Sequence, residues 1–566
     1  MKSIKMRGIC AAVTGALLFG FGANAMADST TDIVNALVAK GVLTEEEGSL
    51  LTKGHDGEIA GAAKKPTIKE KDGSFSLSSG DGKNTIGLTG RLHFDARYND
   101  IGDFGNNAYP YGQDVDTKSG ASHFDVRRAR IGIKGRIGGV ADYLLQGNIT
   151  GSNLLDEAYI DVNKYEKLGL KFGKFKVPFG LEQQTSSNNI DFLERSYVDQ
   201  NVPAKRMGAM LHGEIPGFTY QGDIFQMNDS ALSQKDRSVS TAGRVTANFA
   251  EIMGNKEAIL HAGLAAYNSN YELQTATSSN TSGDAETTTR GTVFGFTSGG
   301  RGLANAYRMQ VGGQKPGSAN LGGSPTANLS EGYNVASPNT STVHVDNVGL
   351  EGIAAYKNFK LQGEYSSAFY EATDATPAKV SADVDTWYAE ALWIMTGENY
   401  ADSYKKGAMG ALKPKNEFDP DTGKGWGLWE LGFRVDAFDV SDTKNTGNSA
   451  TRFQGSTQGT TTFSAGSPKL DECSYTGATA PATNTTASGS CNGGAISYTA
   501  GIKWVWNPNM LFKLNFTHTD FDNAFYPVDV GTKSSTVVGG GAVRSVANLK
   551  KIDSEDLIML RGQFMF

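Results

Sequence analysis

The residues best placed to act on a ligand are cations at alternate positions. In Phe124–Arg136, FDVRRARIGIKGR, Arg128, Arg130, Lys134 and Arg136 share one parity, while Ala129, Ile131, Ile133 and Gly135 share the other. A strand sends alternate side chains to opposite faces, so this stretch predicts one cationic and one apolar face. Such a row of charge, left unpaired along a narrow passage, lowers the energy of an anion inside it. Two solvents fit the pattern. In a soluble sheet the cations meet bulk water; in a membrane barrel the apolar face meets lipid and the cations line a channel. Arg91 and Arg97 share the polar parity of the preceding alternating stretch, GRLHFDARY. Glu157, Asp161 and Asp142 have inward parity nearby and are the carboxylates that could neutralise the row in part. Arg127 has the wrong parity for the wall, which places it at the loop rim.

Other chemistries lack a signature. The seven histidines show neither an HExxH pattern nor His/Cys spacing, so no metal site or cofactor is expected. The glycine-rich windows lack the phosphate-loop pattern, and no ordered Ser/His/acid set suggests an enzyme. Cys10 falls in the leader; Cys473 and Cys491 remain as an even pair with no histidine between them, which reads as a disulfide across a polar loop.

The elements that must position the cations follow from the whole chain. Lys2, Lys5 and Arg7, an apolar stretch at 9–21 and Ala25-Met26-Ala27 read as a secretory leader, 1–27. Beyond it no apolar run reaches helix-spanning length. Mean hydropathy is −0.35, yet 10% of residues are aromatic and 70 are glycine. An exported chain of this kind fits a transmembrane β-barrel, half of whose strand positions face water. The formal charge of −7 becomes −10 once the three leader cations are removed, which argues against nucleic acid as a partner.

Residues 28–53 carry a helical period, with Gly41 ending one helix and Thr44 and Glu47 forming a capping box for a second. A linker, 54–84, leads to the barrel at 85–566. There the period becomes two, and tight turns at Gly138-Gly139, Pro216-Gly217, Gly254–Lys256, Lys357-Asn358 and Asn507–Asn509 alternate with long polar loops at 99–122, 178–205, 269–345, 441–495 and 521–553. Short turns on one rim and long loops on the other is the outer-membrane pattern. The count is 16 strands, or 18 if 396–426 hides a hairpin. Trp387, Trp393, Trp429, Trp504 and Trp506 read as lipid-facing girdle residues. Loop 269–345 carries few charges for its length and either folds over the mouth or packs on a neighbouring protomer; with 441–495 it reads more simply as a surface cover. The last stretch, SEDLIMLRGQFMF, alternates to Phe566 and resembles the signal read by the barrel-assembly machinery.

The chain resembles the phosphate-selective porin O and P family from about Gly73 to Phe566. The resemblance rests on GRLHFDARY (90–98), FDVRRARIGIKGRI (124–137), EAYIDV (157–162), KFGKFKVPFGLE (171–182), FLER (192–195), TGENY (396–400), GWGLWELGFRVD (425–436), WVWNPNM (504–510) and the terminal LRGQFMF. It implies a 16-stranded barrel in the outer membrane of a Gram-negative bacterium, set in lipid and lipopolysaccharide, usually a homotrimer, passing small anions by diffusion. Phosphate-specific members use arginines up the lumen wall and a lysine cluster at the constriction. The matching wall positions are Arg128, Arg130, Lys134 and Arg136, with Arg91 and Arg97 on the neighbouring strand. The loop 178–205 is implied to fold inward. It carries Arg195, Lys205 and Arg206 but also Glu182, Asp191, Glu194 and Asp199, with no compact lysine cluster. That mixture fits a general anion-preferring porin better than a dedicated phosphate channel. The competing reading is a barrel scaffold or sheath that binds an external or redox partner; the chain has no CxxCH haem motif of its own.

Overall fold

The computed structural model describes residues 65–71, 74–100, 121–150, 154–227, 239–274, 277–278, 287–288, 291–302, 305–311, 340–373, 379–446, 452–454, 473–476, 488–525 and 552–566, with parts of 34–50. The leader lies outside the described residues. In the N-terminal unit, Leu37 O accepts from the N–H groups of Val42 (3.0 Å) and Leu43 (3.4 Å), which closes a first helix. The expected capping box is present: Glu47 N–H donates to Thr44 Oγ1 (3.2 Å) and Thr44 N–H donates to Glu47 Oε2 (2.9 Å). Those bonds to Thr44 hold the exposed Glu47 carboxyl below its usual range.

The rest is a closed antiparallel barrel. Its first eight strands are β1 (Thr85–Asp100), β2 (Ala121–Ile137), β3 (Ala141–Asn148), β4 (Leu155–Tyr165), β5 (Leu168–Lys176), β6 (Lys205–Ile215), β7 (Phe218–Gln226) and β8 (Ser240–Asn248). The second eight are β9 (Ala258–Gln274), β10 (Thr340–Tyr356), β11 (Phe359–Thr373), β12 (Lys379–Ile394), β13 (Leu428–Thr446), β14 (Gly493–Asn507), β15 (Met510–Phe525) and β16 (Ile552–Met565). Each pairs with its sequence neighbours, and β16 closes on β1 from Asp556↔Asp100 to Met565↔Arg91. Closure leaves the sixteen spanning strands no free edge, and two short strands, Thr67–Lys71 and Ser74–Ser78, extend the sheet beside β1.

Side-chain direction settles which solvent the strands meet. The outward faces carry exposed Ile131, Leu145, Ile160, Phe172, Leu264, Phe433 and Leu560, whereas Arg434, Arg561, Lys360 and Lys513 are among the most buried large side chains. A soluble protein does the reverse; a barrel with lipid outside and a polar interior does this. Trp429, Trp504 and Trp506 stack with Phe418 and Phe512 near the short-turn rim, a girdle position.

The strand count is 16. The segment 395–427 on the short-turn rim holds a hairpin, but only of two residues a side, Tyr404–Lys405 with Ala408–Met409, and it does not join the barrel. It turns into the lumen instead: Tyr400 and Met409 are buried with the inward-facing Ile259, Ile353 and Leu392. Strands are longer than alternation alone suggests, so the loop expected at 269–345 is bounded by Gln274 and Thr340, and that at 441–495 by Thr446 and Gly493. Within the latter, Cys473 and Cys491 stand opposite each other in a two-stranded ladder; their side chains lie outside the described residues.

Close cross-strand contact is tightest at Gly135 of β2. Its partner Tyr143 lays its hydroxyl across it to donate to Thr85 O (3.2 Å), and a Cβ there would come within 1.9 Å of that oxygen. Gly135→Ala is therefore expected to destabilise the barrel by about 1–3 kcal/mol, the usual range for overpacking. Gly222→Ala, where a Cβ meets nothing within 4 Å, serves as its control. Urea unfolding of vesicle-inserted protein checks this; equal midpoints for the two variants would contradict it.

Candidate functional site

After β5 the chain does not cross to β6 over the rim. The segment 177–204 enters the lumen and is fastened to the wall along its length. Glu364 of β11 accepts the N–H groups of Leu181 (2.8 Å) and Glu182 (2.6 Å), capping a helical turn, Leu181–Gln184. Asp191 pairs with Lys360 of β11 (2.6 Å) and Lys503 of β14 (3.1 Å). Phe192 lies over Gly432 and Gly501, where a Cβ would approach its ring to 3.0 Å. Lys513 donates to Ile190 O (2.5 Å), and Gln563 to Asn188 O (3.0 Å).

Glu194 is the densest of these anchors. Its carboxylate meets Arg127 (2.7 Å), Arg561 (2.9 Å), Arg97 (3.2 Å), Arg301 (3.7 Å) and Arg128 (3.8 Å). Asp95 of β1 takes two further bonds from Arg561, at 2.6 and 2.8 Å, and one from Arg97 at 2.9 Å. Asp191 and Glu194 belong to the inserted loop rather than to a spanning strand. Burial opposes ionisation of both, but Lys360 and Lys503 outweigh it at Asp191, as Arg127, Arg128, Arg561 and Arg301 do at Glu194. Both carboxyls are held below the usual range. A depressed carboxyl pKa gives stability that is present at neutral pH and lost only as pH falls through the folded value.

Arg127 reaches Glu194 because β2 is bulged. His93 pairs with Arg128 but Phe94 pairs with Val126, leaving Arg127 as the extra residue. The bulge resets parity, so two successive arginines face inward. This corrects the rim position expected for Arg127. A second bulge, between Gln146↔Glu157 and Gly147↔Leu155, turns Asp156 inward beside Glu157.

Beside the loop lies an open part of the lumen, a cavity of about 470 Å³. Arg91, Arg127, Arg128 and Arg130 line it from β1 and β2, and Lys174, Lys176, Lys205 and Arg206 from the ends of β5 and β6. Arg195 lines it from the loop and Arg301 from another segment. Against these ten cations stand three carboxylates, Asp156, Glu157 and Asp199. Asp156 takes Arg130 (3.0 Å) and Lys205 (2.5 Å), and Glu157 takes Lys205 (2.7 Å). Arg91 donates to Ser187 Oγ (2.8 Å). Arg128 is 6% exposed, and its Nη1 has no hydrogen-bond partner among the described residues. A buried donor nitrogen without an acceptor is costly unless a ligand supplies one.

The segment that brings Arg301 comes from the loop expected to be a surface cover. A hairpin, Gly291–Thr297 with Asn305–Val311, instead lies inside the long-loop mouth. Phe296 stacks on Phe438 of β13 (4.2 Å between centroids), and Phe294 packs on Tyr370 of β11 (4.7 Å). This aromatic packing fills one side of the mouth.

The sequence-predicted residues therefore divide. Arg91, Arg128 and Arg130 converge on the cavity, as do Arg195, Lys205 and Arg206, although the last two begin β6 rather than belonging to the loop. Arg97 is buried as a tether between Asp95 and Glu194. Arg136 pairs with Asp142 (2.8 Å) next to the short turn, and Lys134 is exposed away from the cavity. Glu182 faces the wall, bonded by Ser196 and Arg434. Of the four acids in the loop, Glu182, Asp191 and Glu194 are turned to the wall, while Asp199 stays in the cavity with Arg195. Lys174 and Lys176 escaped the sequence reading. Simple alternation sends them outward with Phe172, yet both line the cavity at the end of β5, beyond Gly173 with its φ of 125°.

Comparison with known proteins gives the following matches. A family model described as phosphate-selective porin O and P matches residues 94–293 and 312–538. Porin O of Pseudomonas aeruginosa is 27% identical over 418 residues, covering 69% of this chain and 81% of that protein. Among solved structures, an anion-selective porin from Comamonas acidovorans aligns over 85% of this chain and 100% of its own, with TM-score 0.43 and 11% identity. The outer membrane channel DcaP of Acinetobacter baumannii aligns over 85% and 97%, with TM-score 0.41 and 10% identity.

Replacing Glu194 by Gln removes the one carboxylate shared by these arginines. Leaving buried charges uncompensated costs about 3–5 kcal/mol, so urea unfolding of Glu194→Gln is expected at clearly lower denaturant. Its single-channel current is expected to be noisier as the loop loosens. A quiet channel with the original midpoint would show that other anchors hold the loop.

Proposed function

Because the chain belongs to the phosphate-selective porin O and P family, outer-membrane porins of Gram-negative bacteria, we propose that it passes small anions, phosphate among them, by diffusion through the cationic cavity beside the inserted loop. The observation that carries this reading is the surplus of ten cations over three carboxylates where the lumen is narrowed. In a passage walled by low-dielectric protein and lipid, such a surplus attracts anions and repels cations. The unpartnered guanidinium nitrogen of Arg128 and the forked donors of Arg91 and Arg130 suit oxyanions, which accept several N–H bonds at once. Ser186, Ser187 and Gln183 add neutral donors on the loop side.

The scaffold reading fares worse. A sheath must leave its lumen free for a partner, whereas here the loop 177–204, the hairpin at 291–311 and the turn at 395–427 occupy much of it. The proposed working unit is a homotrimer in outer-membrane lipid and lipopolysaccharide, inserted by the barrel-assembly machinery.

The test separates two levels of the same wall. The pair Arg128→Gln with Arg130→Gln is expected to lower the chloride-to-potassium permeability ratio several-fold in planar bilayers. The pair Lys134→Gln with Arg136→Gln is expected to change it little, since Arg136 is already neutralised by Asp142. A cation-selective reversal potential in the unmodified protein, or equal effects of the two pairs, would sink the assignment of the constriction.

A further inference from the structure

Arg301 differs from the other cations of the cavity in where it comes from and how it is held. The rest stand on barrel strands or on the anchored loop 177–204, whereas Arg301 is carried in by the hairpin from the long-loop side. We propose that Arg301 is the specificity-determining residue that distinguishes polyvalent from monovalent anions arriving from the long-loop side. The proposal rests on the anion reading above and deepens it.

The hairpin is built to place this side chain. Phe296 is fixed between Phe438 and Tyr197, and Gln200 of the inserted loop accepts Thr297 N–H (2.9 Å). The turn that follows is pressed against the wall of β14–β16. Gly299 N–H donates to Thr519 Oγ1 (3.2 Å) and Ser298 donates to Glu555. A Cβ on Gly299 would come within 2.3 Å of Ser497, and one on Gly300 within 2.6 Å of Met559. Gly299 and Gly300 therefore stand where the backbone of the turn presses on the wall, and arginine takes the next position. Arg301 sits at φ 56°, a conformation that side chains other than glycine disfavour and that persists where the surroundings impose it. Arg97 donates to its carbonyl oxygen (3.1 Å) and fixes the backbone.

The side chain, by contrast, is loosely held. It is 43% exposed, with Nε 3.7 Å from Glu194 and Nη2 3.8 Å from Asp199, both beyond hydrogen-bond distance. Glu194 already has closer arginines, and Arg301 is the most exposed of the five around it, so it can leave without stranding a buried charge. A tetrahedral oxyanion with two negative charges offers oxygens to the fixed wall cations and further oxygens to Arg301. It can therefore draw the guanidinium off its two distant carboxylates. Chloride has one charge and no second acceptor, and the wall cations suffice for it. Arg301 thus adds to the hold on polyvalent oxyanions far more than to chloride passage.

The experiment measures block of chloride current by inorganic phosphate, added to the long-loop side of full-length protein in planar bilayers at a pH where the dianion prevails. Arg301→Gln is expected to raise the half-blocking phosphate concentration about tenfold, the loss of roughly one charge-assisted hydrogen bond. The chloride-to-potassium permeability ratio should change much less. Arg301→Lys, which keeps the charge and loses the fork, should fall between. Unchanged block in Arg301→Gln, or a matching loss of chloride selectivity, overturns the role of Arg301 while leaving the anion channel standing. Absence of any phosphate block in a chloride-selective unmodified channel also overturns it. A cation-selective unmodified channel overturns the anion reading and this inference with it.

Discussion

The interior of this barrel depends on charge neutralisation between Glu194 and the arginines around it. Arg97, Arg127, Arg128 and Arg561 stand on three strands that meet at the barrel seam, too near one another to be ionised without a shared anion. Burying that many cations is costly unless each finds a partner. Glu194 supplies it from a loop that has no strand pairing of its own at that point. The same bonds therefore keep the wall charged and pull the loop into the lumen. Asp191 repeats the arrangement with Lys360 and Lys503 on the far wall, so the loop is pinned at both sides of the barrel.

The path left open follows from what the insertions cover. The inserted loop buries Leu181 and Phe192 among the inward residues of β9–β15, together with Tyr400 and Met409 of the turn at 395–427. Toward the long-loop rim, the hairpin buries Phe294, Phe296 and Tyr307 against the same half of the barrel. These contacts are apolar and aromatic, and they exclude water from that side. What stays wet is the wall of β1–β6, and its side chains are largely cationic. A round barrel is thereby converted into an eccentric passage whose one charged wall faces the loop residues Arg195, Ser186 and Ser187.

Much of this was legible in the sequence, for reasons that differ by level. Alternation is a backbone property, so Ile131 outward and Arg130 inward could be read from parity alone. The rim asymmetry gave the strand number, and 395–427 stayed ambiguous because a lumen-packed turn and a barrel hairpin have similar composition. The capping box at Thr44 and Glu47 is local and survived intact. The hairpin at 291–311 was not legible: GTVFGFT and NAYRMQV look like loop, and the surfaces that order them, Phe438 and Tyr370, lie far along the chain. The fate of each carboxylate was hidden for the same reason. Glu194 stands beside Arg195 in sequence, yet it bonds to Arg561 across the lumen, as Glu182 bonds to Arg434.

The sign of the passage rests finally on two breaks in register. Were β2 regular at Arg127, that side chain would point to lipid and Glu194 would lose its closest partner, at 2.7 Å. Were β4 regular at Asp156, Arg130 and Lys205 would lose a carboxylate they now share. A bulge adds one residue to one strand and reverses everything beyond it, so each break decides the direction of charges without changing composition. That is why a chain with a formal charge of −7 encloses a cavity with a large cationic surplus. Net charge counts residues, whereas the field in the passage depends on which side of a strand each residue takes. In this barrel two bulges make that choice beside the inserted loop.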